Sequence, residues 1–153
     1  MGSYRQHALD GASAVDLVVA LYDGIVRFLH EAMRAVDRGD AEGRRAAVKR
    51  ALDIIIHLQA RLRMDVGGEP ARALGEFYAA IFAQILQASQ SASNPRFSHA
   101  IDCVKNVREA WRQVARDPGA NMGALRLAQS GALVSVEGEG SGSAPVKPVN
   151  WTV

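Results

Sequence analysis

The chain has 153 residues, 48% of them hydrophobic and 22% charged, with a net charge of +2. That is the composition and length of one globular domain with a sizeable core, not of a disordered or fibrous chain. No basic block suits a nucleic-acid patch, since the densest cluster, Arg44-Arg45 with Lys49-Arg50, reads as a solvated helix face.

Ser13 and Asp16 form a capping-box-like start, a hydroxyl for an orphan backbone N–H and an acid facing the helix N-terminus. From there Val18, Tyr22, Ile25, Leu29, Ala32 and Val36 recur at spacings of four and three. A second stripe, Leu17, Leu21, Gly24 and Phe28, runs beside it, so the apolar face of this helix is wide. Gly24 interrupts it at a cost of roughly 1 kcal/mol relative to alanine, which calls for a packing or functional reason. Gly39 stops the helix and Asp40 caps the next.

The second helix carries Val48, Ala51, Ile55, Leu58 and Leu62 and is expected to end near Asp65-Val66-Gly67-Gly68. Glu69-Pro70 restarts the chain as a third helix, with Leu74, Tyr78, Ile81, Ile85 and Ala88 in its stripe and Phe77 and Phe82 beside it. Asn94-Pro95 reads as the cap of a fourth helix bearing Phe97, Ala100, Val104, Val107, Trp111 and Val114, which stops at Asp117-Pro118. Helices of this length joined by short loops lie antiparallel, so the fold expected is an all-α, up-down four-helix bundle. It occupies residues 13–117, behind an extended cap segment at 1–12. Residues 118–153 hold six of the fourteen glycines and three of the five prolines and read as a flexible tail, to which no role is assigned.

Catalytic and metal chemistry is not written into this pattern. No Glu-x-x-His pair occurs, and His7, His30, His57 and His99 are too scattered for a helical metal site. There is no phosphate-cradling glycine loop and no nucleophile elbow. Asp23 has no histidine nearby in sequence and reads as a surface carboxylate. Cys103 stands alone, which excludes an internal disulfide, and sits among apolar residues as a buried thiol would. Neither a membrane-spanning run nor a cleavable signal is visible, so the expectation is a cytoplasmic non-enzyme with no cofactor, no nucleic acid and no membrane insertion.

Several short motifs, in order, resemble the flagellin-specific export chaperones of the FliS family. They are Tyr4, Ala12-Ser13, Leu21-Tyr22-Asp23-Gly24, Arg27-Phe28-Leu29, Gly67-Gly68-Glu69, Leu74 with Phe77-Tyr78, and Arg108-Glu109-Ala110-Trp111. Ala14 departs from the family's proline after the capping serine. The resemblance implies a chaperone that wraps the disordered C-terminal segment of flagellin along apolar grooves and blocks its premature polymerisation. The client would then pass to the type III export apparatus through a transient contact with an export gate component. It also implies client contact at Tyr4, Leu9, Leu17, Leu21, Tyr22, Gly24 and Phe28. Read from the residues alone, Tyr22, Phe28, Phe77 and Trp111 are core first, while Tyr4 precedes the bundle and is, by the resemblance, the residue most tied to function. The competing reading is a structural or sensor bundle that associates with itself, and a homodimer is open on either reading.

Overall fold

A computed structural model describes the backbone of residues 2–62 and 64–116 and the side chains of 14–62 and 68–116. Every element among them is helical: α1 (Gly2–Asp37), α2 (Ala41–Ala60), α3 (Met64–Gln90) and α4 (Asn94–Arg116). α1 packs on α2 and α4, and α3 closes the ring against the same two helices. Neighbours run antiparallel. Gly24 faces Ile54 and Phe28 faces Arg50 as α1 ascends and α2 descends. Asp23 meets Arg108 while Asp37, far along α1, meets Asn94 at the start of α4. This is the up-down bundle that the apolar stripes imply, and those stripes line its core. Tyr22, Ile25 and Leu29 meet Ile55 from α2, Ile81 and Ile85 from α3, and Phe97, Val104 and Val107 from α4.

The helix ends show why the chain turns where it does. Gly39 takes φ +69°, its N–H bonds Val36 O and the Asp40 N–H bonds Ala35 O, closing α1 in a Schellman motif. Asp40 then caps α2 by accepting the Gly43 N–H at 2.9 Å. α3 ends in the same motif. Ala92 stands at φ 47°, with Ala92 N–H on Ser89 O and Ser93 N–H on Ala88 O. Gly68, at φ 56° and ψ −139°, breaks α3 near its start, so the regular helix begins with Glu69-Pro70 as the proline demands.

Three expected boundaries are corrected. The segment expected to be extended before Ser13 is helical from Gly2, which places Ser13 in the interior of α1 instead of at its cap. The physical reason is at Ala14, where proline would have removed a backbone donor and clashed with the preceding turn, whereas alanine lets the helix run on. α2 ends at Ala60, earlier than its apolar pattern suggests, and tightens through Arg61 N–H to Leu58 O and Leu62 N–H to Gln59 O. The α4 cap is Ser93, whose Oγ accepts the Arg96 N–H at 3.3 Å. Asn94 instead donates to Asp37 Oδ1 at 2.8 Å and ties the α4 start to the α1 end. The tail expected at 118–153 lies outside the described residues.

Candidate functional site

The second stripe of α1 lies along the seam with α2. Leu17 is 45% exposed, and Leu21, Gly24 and Phe28 follow it, each half-buried. A Cβ on Gly24 would come within 3.0 Å of Ile54 Cδ1. The close approach is therefore to the flexible end of a side chain, and the glycine narrows the wall of the seam by about a methyl group. Two guanidiniums roof Phe28, with Arg27 5.0 Å and Arg50 5.7 Å from the ring centroid. Such a cover is worth about 0.5–1 kcal/mol per cation at an exposed site, so an apolar segment can displace it. The stripe is thus apolar, shallow and only loosely covered.

Tyr22 belongs to a different layer. It is fully buried, its hydroxyl lies 2.7 Å from that of Tyr78, and it accepts the Trp111 indole N–H at 3.2 Å. The two tyrosine rings meet edge to face, 6.2 Å between centroids. Burial pushes both phenols up, Tyr78 to about 12 and Tyr22 well above its usual value. Tyr22 offers no surface to a partner here, which corrects its expected role as a contact. Buried in an apolar core, its hydroxyl needs these partners, and they lock α1 to α3 and α4 beneath the stripe.

Asp23, next to Tyr22, is half exposed, yet it has a basic partner. Arg108 Nη1 reaches its Oδ1 at 2.7 Å, with Arg112 at 4.0 Å. The partner lies on another helix, which is why local sequence did not show it. Arg108 is 19% exposed and Asp23 49%, so solvent screening keeps this pair near about 1 kcal/mol. Leu21-Tyr22-Asp23-Gly24 and Arg108-Glu109-Ala110-Trp111 are consequently two halves of one structure: Tyr22 bonds Trp111 while Asp23 bonds Arg108. Setting α1 and α4 antiparallel, with a Tyr-Asp step opposite an Arg-x-x-Trp turn, is the signal that would have found both pairs.

The motifs that the structure pairs lie within the residues that a family comparison matches. Residues 1–118 match the family described as "Flagellar protein FliS". The chain belongs to the FliS family. It is 33% identical over 112 residues to a protein of Campylobacter jejuni named "Flagellar secretion chaperone FliS", covering 73% of this chain and 88% of the relative. Proteins of the same name from Salmonella typhimurium and Vibrio cholerae are 30% and 29% identical, covering 72% and 69% of this chain and 82% and 78% of the relatives. In this FliS chain the side chains of Tyr4 and Leu9 lie outside the described residues, while α1 carries both positions on helical backbone. Leu17, Leu21, Gly24 and Phe28 come together on one face, and Tyr22 sits behind them.

Other groups singled out in the sequence have structural surroundings. Cys103 is buried with its Sγ 3.8 Å from His99 Nε2, and desolvation, with the nearby Asp102 charge, pushes its thiol up. That leaves it less thiolate than a free cysteine. His30 and His57 are exposed, and among the described residues no three His, Cys, Asp or Glu side chains could hold a metal ion. Of the basic cluster, Arg45, Lys49 and Arg50 are exposed, and Lys49 pairs with Asp53 at 3.1 Å. Among the described residues no helix is long and apolar enough to cross a membrane.

Proposed function

We propose that this chain is a cytoplasmic flagellar export chaperone whose client is the disordered C-terminal segment of flagellin. The segment folds against the α1 face formed by Leu17, Leu21, Gly24 and Phe28, with Tyr4 and Leu9 extending the contact along the same helix. Covering that segment keeps flagellin from polymerising before export, and a transient contact hands it to the flagellar type III export gate. The family match over residues 1–118 carries this reading, because the curated relatives are named flagellar secretion chaperones. An exposed leucine at the head of a half-covered apolar stripe supplies a physical basis, since helix-in-groove recognition needs apolar anchors at helical spacing. Binding and release by burial require no covalent step, and the reading is of a protein without enzymatic activity.

Titration calorimetry of the full chain with a peptide spanning a flagellin C-terminus tests it. The expected result is a sub-micromolar Kd, about −8 kcal/mol or tighter, with a strongly negative heat-capacity change from coupled folding and burial. No binding to several flagellins, the one from the same source included, overturns the assignment and leaves a self-associating bundle.

A further inference from the structure

A second apolar seam lies on another side of the bundle, between α2 and α3. A groove of about 340 Å³ is lined there by Gln59 and Leu62 from α2 and by Arg72, Gly75, Glu76 and Ala79 from α3. Gly75 gives it depth, since a Cβ there would rest 3.6 Å from Leu62 Cδ1. The antiparallel course of the two helices continues the seam past Ile56 and half-buried Phe82 towards Leu52 and Leu86. Ile56 is 51% exposed and Leu86 38%, so among the described residues two of the three large hydrophobic side chains most open to solvent flank this seam. From Leu62 to Leu52 it runs roughly 15 Å along α2.

We infer that this seam is the docking site of the chain's own C-terminal segment, centred on residues 125–136. Three observations favour that occupant. First, α4 ends at Arg116 at the same end of the bundle as Leu62 and Gly75, because α4 descends α1 past Asp23 towards the start of the described α1 side chains. Second, the intervening residues 117–124 can span up to about 28 Å, while packed helix axes lie only about 8–10 Å apart, so the connection reaches across the bundle end. Third, the sequence places Leu125, Ala128, Ala132, Leu133 and Val136 at the i, i+3, i+7, i+8, i+11 spacing of a single helical face. Arg126 is the one charge in this stretch. The segment is short enough to lie along the seam once and apolar enough to gain by leaving water. The inference stands apart from the flagellin reading, which concerns the α1 face.

Disulfide trapping in the full chain tests it. Gln59→Cys with Ala128→Cys, in a Cys103→Ala background, should close an intramolecular disulfide under mild oxidation. A control pair, Lys105→Cys with Ala128→Cys on the exposed side of α4, should close at least about tenfold more slowly, because docking concentrates the tail at one site only. Adding Leu125→Asp and Leu133→Asp should reduce the Gln59 pair to the control rate without loss of helicity. Equal rates for the two pairs overturn the inference. So does a predominantly intermolecular product, which assigns the seam to a second copy, or a Gln59 rate unaffected by the two aspartates.

Discussion

At Tyr22, a single hydroxyl ties three helices together. It accepts the Trp111 N–H and is hydrogen-bonded to the Tyr78 hydroxyl inside the apolar core. Removing it as Tyr22→Phe leaves a half-buried indole N–H and a buried phenol short of a partner, a loss of about 1–3 kcal/mol. Trp111→Phe removes one donor at the half-buried edge and should cost less, about 1 kcal/mol. Urea unfolding of the two variants checks the order, and a Tyr22→Phe protein as stable as its parent would remove the hydrogen-bonded chain from the account. The same burial gives a pH signature. Both phenols are raised in the folded state, so the neutral forms favour folding, fully below the unfolded value near 10. That stability declines as pH rises from about 10 towards and beyond the value of about 12 at Tyr78. Absorbance titration should therefore find two of the three tyrosines un-ionised at about pH 11 while the helices persist. Their ionisation there without unfolding would contradict the burial. The sequence placed Tyr22, Phe77 and Trp111 on apolar stripes, which was sufficient to put them in the core. It could not show Arg108 against Asp23, because pairing across helices is a property of register, not of spacing along one chain segment.

Helix ends were legible where the residue itself carries the conformation. Gly39 and Asp40 announce a left-handed stop and a cap, and both do what their chemistry suggests. Ala92 announces nothing, yet it occupies the same position in the same motif at φ 47°. A Cβ in that region costs roughly 1–2 kcal/mol, so Ala92→Gly should stabilise the bundle by about 1 kcal/mol after the entropy cost of glycine is deducted. Thermal unfolding would register this as a rise of a few degrees, and an unchanged or lower Tm would show that the α3–α4 turn relaxes elsewhere. The cap of α4 was misplaced by one residue for a related reason: Ser93 and Asn94 are both good caps, and only the tie of Asn94 to Asp37 decides between them. The start of α1 was misread because a capping serine is a strong local signal, whereas the absence of a helix breaker at Ala14 is a weak one.

At the scale of the molecule, the described residues form a well-filled centre and two loosely covered seams. The centre needed only hydrophobic periodicity to be foreseen. The seams did not follow from it, since a wide apolar face means equally a deep core or a reserved surface. α1 divides in two: Tyr22, Ile25 and Leu29 are sealed, and Leu17, Leu21, Gly24 and Phe28 are only partly covered. On the proposed reading, a partner surface on α1 separates binding from stability. Leu17→Asp adds a charge where the side chain already meets water, so it should leave unfolding within about 0.5 kcal/mol of the parent. The most direct measurement is the affinity of that variant for the flagellin C-terminal peptide, read beside Ile56→Asp on the other seam. The account predicts a loss of at least about tenfold, or 1.4 kcal/mol, for Leu17→Asp and little change for Ile56→Asp. Undiminished binding by Leu17→Asp, at unchanged stability, would contradict the assignment of the α1 face to the client.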